Sequence, residues 1–85
     1  MIIYNMNIGQ AVAKRVQDLL KKYDKTQYRL AKDTLISHNT MTSIVNAKNK
    51  TANLNSIFLI CRAFGITVDE FFNDPIFKSD KLEIE

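Results

Sequence analysis

Between residues 8 and 23, apolar positions recur at helical spacing. Ile8, Val12, Val16, Leu19, Leu20 and Tyr23 share one face, while Lys14, Gln17 and Lys21 point away from it. A first helix is predicted here, opening at Asn7, whose spacing to Gln10 is that of a capping box. Thr26 is placed to cap a second helix with Leu30 and Ala31 inward, and Ser37 a third with Met41 and Ile44 inward. The stretch AKNKTAN breaks the periodicity and reads as a loop. A fourth helix is predicted from about Leu54 to Phe64, burying Leu54, Ile57, Phe58, Cys61 and Phe64, with Gly65 as its left-handed stop. Thr67 and Glu70 form a capping box for a fifth helix, Ile66 and Phe71 occupy staple positions, and Asn-Asp-Pro ends it. The last ten residues, IFKSDKLEIE, read either as a frayed tail or as a short strand at LEI pairing beside MIIY. The expected fold is all-α: five helices around one core over about residues 7–74, with an acidic extension over 75–85.

Composition narrows the picture. Eighty-five residues, 46% apolar, with two Gly and one Pro, suit a single helix-rich domain near the lower size limit for a core without metal or disulfide. The single cysteine excludes an internal disulfide, and no Cys/His pair has zinc-ligand spacing, so no metal or other cofactor is expected. Cys61, within IFLICRAF, reads as a small core residue. No window reaches the ~18 apolar residues of a membrane span, and MIIYNMN is too short and uncharged for a signal peptide; a cytoplasmic location is expected. One His, one Cys, no nucleophile motif, no Gly-rich phosphate loop and no paired acids argue against an enzyme.

Charge is distributed unevenly. Residues 1–66 carry ten Lys and Arg against three acids, giving +7, whereas residues 67–85 carry two Lys against six acids, giving −4. This fits a body that binds a polyanion and an acidic end that faces elsewhere, although such charges also serve as a solvated face. Within the basic body the third helix stands apart: HNTMTSIV contains no Lys or Arg.

The segment TQYRLAKDTLISHNTMTSIVN resembles the helix-turn-helix of the Cro and lambda-repressor family, the Xre-type transcriptional regulators. The matching residues are Thr26-Gln27, Leu30-Ala31, Ile36-Ser37, Met41 and Ile44. Downstream, Leu54, Ile57-Phe58, Ala63-Phe64-Gly65-Ile66 and Val68-Asp69-Glu70-Phe71-Phe72 resemble the closing helices of that family, so the similarity covers roughly residues 8–73. It implies five helices with the third entering the major groove of double-stranded DNA. Ala31 would be small where helix three crosses it, Ile36 would plug the turn, and Met41 and Ile44 would tie helix three to the core. The candidate base-reading residues are then His38, Asn39, Thr40, Thr42, Ser43 and Asn46. Candidate phosphate contacts are Gln27 at a helix N-terminus, with Arg29, Lys32, Lys48 and Lys50 around it. Short uncharged polar groups suit base edges, which discriminate by donor and acceptor pattern, while cations suit the phosphates. The competing possibility is a solvated polar face, with His38 capping or bonding locally.

The chain departs from the family pattern in three places. Leu35 stands where glycine is usual in the turn; a left-handed backbone costs a non-glycine residue about 1 kcal/mol or more, which leaves room for a reshaped turn. Val45-Asn46-Ala47-Lys48 replaces the usual Glu-x-Gly-Lys, and Asn46 could take the left-handed cap. Leu20 and Val45 together would replace the family's buried Arg–Glu pair by apolar packing. Leu59, Ile76 and Phe77 are apolar residues that the core does not obviously need, so they are candidates for a homodimer interface; the ends could instead fold back on their own domain. The function expected is a sequence-specific dimeric transcriptional regulator on a palindromic operator. The alternative is a helical protein-interaction module of the same fold, antitoxin-like or partner-docking, with little operator binding.

Overall fold

The computed structural model describes residues 6–49 and 53–78. It contains five helices, α1 (Ile8–Lys22), α2 (Gln27–Thr34), α3 (His38–Val45), α4 (Leu54–Phe64) and α5 (Val68–Phe72), then a 3-10 turn at Pro75–Phe77. Every α-helix begins at a side chain that accepts one of its unpaired amides. Asn7 Oδ1 accepts from the Gln10 amide at 2.8 Å, and Gln10 Oε1 accepts from the Asn7 amide at 3.0 Å. Thr67 and Glu70 repeat that reciprocal box at α5. Thr26, Ser37 and Asn53 cap α2, α3 and α4.

The helix ends are as regular as the starts. At the end of α1 the Lys25 amide reaches the Leu20 carbonyl at 2.9 Å around Asp24, which has a left-handed φ of 51°. At the end of α4 the Ile66 amide reaches the Cys61 carbonyl at 3.0 Å around Gly65, φ 71°. Both are six-residue closures around one left-handed residue. The turn between α2 and α3 is not reshaped to spare Leu35: this leucine adopts the left-handed conformation itself, φ 61°, ψ 20°, and its side chain is 92% exposed.

The core joins Val12, Val16 and Leu19 of α1, Leu30 and Ala31 of α2, Met41 and Val45 of α3, Ile57, Ile60, Cys61 and Phe64 of α4, and Phe71 of α5. Ile8, Leu20, Ile36 and Ile44 are half-buried against it, so Leu20 and Val45 both contribute apolar packing as anticipated. Burial pushes the Cys61 thiol pKa up.

Four residues depart from the burial expected of them. On α4 the buried stripe is Ile57, Ile60, Cys61 and Phe64; Leu54 and Phe58 are instead 66% and 53% exposed. The stripe at 57, 60, 61 and 64 already satisfies the 3.6-residue period, and Leu54 and Phe58 lie one column round the helix. Leu59, expected outside, is half-buried. Tyr23, at the end of α1, is exposed on one side and stacks on Phe64 with its other, ring centroids 5.6 Å apart. Packing continues past residue 74, because Phe77 contacts the rings of Phe71 and Phe72 at centroid distances of 5.9 and 4.8 Å. The suggested pairing of MIIY with LEI lies outside the described residues, within which no helix is long and apolar enough to cross a membrane.

Candidate nucleic-acid interface

Helix α3 is eight residues long, too short to stand alone, so its position depends on what grips it. Met41 and Val45 anchor it in the core. Its start is fixed by Thr34, whose buried hydroxyl donates to the Leu30 carbonyl at 2.8 Å and accepts from the Ile36 amide at 3.3 Å. That hydroxyl takes the place of the six-residue closure that ends α1 and α4. At the other end Gln17 of α1 donates through Nε2 to the Val45 carbonyl at 2.8 Å. The final turn closes around Ala47, φ 54°, with the Lys48 amide on the Ser43 carbonyl at 2.9 Å. Ala47, and not Asn46, takes the left-handed position. Asn46 has φ −101° and stays exposed, so no backbone duty competes with its side chain.

The six polar residues named on α3 divide among three sides. Toward α2, Thr42 Oγ1 donates to the His38 carbonyl at 2.8 Å and accepts from Gln27 Nε2 at 3.0 Å, while His38 stacks on Tyr28. On the opposite flank Thr40 and Ser43 line a cleft of about 90 Å³ with Gly9, Ala47, Asn53 and Ser56. The Ser43 hydroxyl bonds to the Asn39 carbonyl at 3.2 Å. Asn39 and Asn46 lie between, both exposed on the outward side. Thr42 and Ser43 are half-buried with their hydroxyls engaged. His38, Asn39, Thr40 and Asn46 are the exposed members.

The cations are similarly sorted. Arg15 is spent inside the fold: it donates to the Phe71 carbonyl at 2.7 Å and the Glu70 carbonyl at 2.9 Å, closing the C-terminal end of α5, and reaches Asp74 at 3.4 Å. Lys25 holds Asp33 at 2.9 Å and the Ala63 carbonyl at 3.1 Å. Arg29 pairs with the same Asp33 at 3.1 Å, which lessens its charge as a phosphate contact. Lys32 on α2 and Lys48 in the turn that follows α3 are both exposed. Lys50 lies outside the described residues.

Two capped helices joined by a tight turn, the second presenting neutral polar side chains between exposed lysines, are the parts of a helix-turn-helix. The profile of the Cro/C1-type HTH DNA-binding domain matches residues 15–75. The chain belongs to this family. Comparison with curated proteins and with solved structures gives no match. As a Cro/C1-type domain it binds DNA, and α2 with α3 is its helix-turn-helix. Two residues of that unit, Thr34 and Tyr28, are not among those that the sequence motif marks. Thr34 falls on the Leu30-Ala31 side of α2 by helical spacing, so its burial was readable; its service to the Ile36 amide was not. Tyr28 falls off that apolar side, where a large aromatic on a short polar helix was itself the signal.

Proposed function

We propose that this chain is a cytoplasmic, sequence-specific transcriptional regulator that reads a palindromic operator as a dimer, with α3 in the major groove. One observation carries the reading: α3 and its C-cap expose His38, Asn39, Thr40 and Asn46 and no permanent charge, while the exposed Lys32 and Lys48 lie on the elements before and after it. Such a surface separates base reading from phosphate anchoring. With no Arg or Lys for guanine, and with asparagine and threonine suited to adenine and to the thymine methyl, the directly read positions are A·T pairs. An α3 of eight residues is about 12 Å long and spans few base pairs. A second half-site about 34 Å away would supply the remaining specificity, which is why we assign a dimer.

Leu54 and Phe58, exposed on α4, favour a second reading in which the same fold serves mainly to dock a protein partner. Salt dependence separates the two. Neutralising Lys48 together with Lys50 should weaken binding to every duplex and flatten the slope of log affinity against log salt by roughly 1 per lost contact. An unchanged slope removes both lysines from the phosphates, and the absence of salt-dependent duplex binding in the intact protein favours the docking module.

A further inference from the structure

The Tyr28 ring lies nearly parallel to the imidazole of His38, with centroids 4.8 Å apart and planes 14° from coplanar. The pair is out in solvent. Tyr28 is 64% exposed, His38 is exposed, and the Lys32 ammonium lies 6.0 Å from the tyrosine ring centroid. Two aromatic rings that cover each other and little else gain far less from burial than core aromatics do, so core packing does not account for this geometry. What the stack does fix is direction. His38 is the first residue of α3, the end of a reading helix that contacts base edges, and Tyr28 covers one face of its ring. The hydrogen bonds of that first turn run through Ser37, Thr40 and the His38 carbonyl, so the imidazole nitrogens play no part in them. A ring held flat on one side presents its nitrogen edge, one donor and one acceptor when neutral, as a fixed pattern instead of sweeping through rotamers.

We propose that Tyr28 is a positioning residue for base recognition: it holds the His38 imidazole edge-on to one base pair of each half-site and thereby sets the preference there. This rests on the DNA-reading function above. Thr42 belongs to the same device, because its bonds to Gln27 and to the His38 carbonyl lock the backbone beneath the ring.

The test is selection of sites from a randomised duplex library by the intact chain and by Tyr28→Ala, Tyr28→Phe, His38→Ala and the double variant carrying both alanines. Binding to matched and singly mismatched duplexes follows. His38→Ala should lose a preference on the order of tenfold at one base pair, the size of a direct base contact. Tyr28→Ala should lose preference at that same base pair, Tyr28→Phe should keep it, and the double variant should be no worse there than His38→Ala, as coupled residues require. Loss by Tyr28→Ala of equal affinity for matched and mismatched duplexes would make the tyrosine a backbone contact and overturn the proposal. So would an unaltered preference in Tyr28→Ala or in His38→Ala. A wild-type chain that enriches no sequence overturns the operator-reading function, and this inference with it; enrichment by the wild type with a silent Tyr28→Ala overturns only the inference.

Discussion

Thr34 and Leu35 meet at the point where α2 gives way to α3, and each resolves a backbone difficulty in its own way. Thr34 is the polar residue buried among the described core, and its one hydroxyl serves three backbone groups, the Leu30 and Ala31 carbonyls and the Ile36 amide. Thr34→Val keeps the shape and strands the half-buried Ile36 amide, so destabilisation of about 1–3 kcal/mol is expected in denaturant unfolding. A loss below about 0.5 kcal/mol would mean that water replaces the hydroxyl without penalty. Leu35 has the opposite character: its side chain is 92% exposed, while its left-handed backbone costs a branched residue about 1–2 kcal/mol. Glycine would relieve that strain but gives back about 0.5–1 kcal/mol through the freer unfolded chain. Leu35→Gly should therefore raise stability by about 0.5–1 kcal/mol, and a destabilised variant would show that the freedom gained by the unfolded chain outweighs the relieved strain. The sequence announced the cost at Leu35 but not who bears it. A reshaped turn was a reasonable alternative, and Thr34 is what makes it unnecessary, because its hydroxyl supplies the bond that a different turn would have had to find.

At the scale of helices, the starts were the most legible feature, since Asn7, Thr26, Ser37 and Thr67 cap through local bonds that depend only on spacing. The inward face of α4 was less legible. Its apolar residues outnumber one stripe, and only the position of the other helices decides that Ile60 goes in while Leu54 and Phe58 stay out. Nor did composition reveal which charges are structural. Asp33 shows this best: Lys25 hydrogen-bonds and attracts its carboxylate, Arg29 adds to the attraction, and together they hold its pKa below the usual 3.8. Because Lys25 also reaches the Ala63 carbonyl, the cluster ties α2 to the end of α4. A carboxylate with a depressed folded-state pKa stabilises the fold above its unfolded pKa and loses that contribution as pH falls through the folded one. The melting-temperature gap between wild type and Asp33→Asn should therefore favour wild type at neutral pH and close as the pH drops below about 4. A gap that stays constant down to pH 2 would assign the effect to something other than this ionisation.

For the molecule as a whole, a dimer needs a surface that a second copy can cover. Ile76 and Phe77 looked available in the sequence, but Phe77 is engaged with Phe71 and Phe72, and Leu59 is half-buried. Among the described residues Leu54 and Phe58, one helical turn apart on α4, form an exposed apolar pair, whereas Leu35, also exposed, lies in the turn between α2 and α3. A pair this exposed is costly to leave in water and too small to bind a partner alone, so it would form the centre of a patch with a polar rim from Asn55 and Arg62, both exposed. A two-fold interface suits it, because the same patch on each copy is self-complementary when apolar. Replacing Phe58 with aspartate puts two like charges at the centre of such an interface, while the exposed position spares the fold itself. Sedimentation at micromolar concentration should then show association in the wild type and a monomer in Phe58→Asp with unchanged circular dichroism. Binding of the variant to a palindromic duplex should lose its cooperativity and leave each half-site bound independently. A wild-type chain that stays monomeric at every concentration, and fills the two half-sites without cooperativity, would leave Leu54 and Phe58 to a different partner.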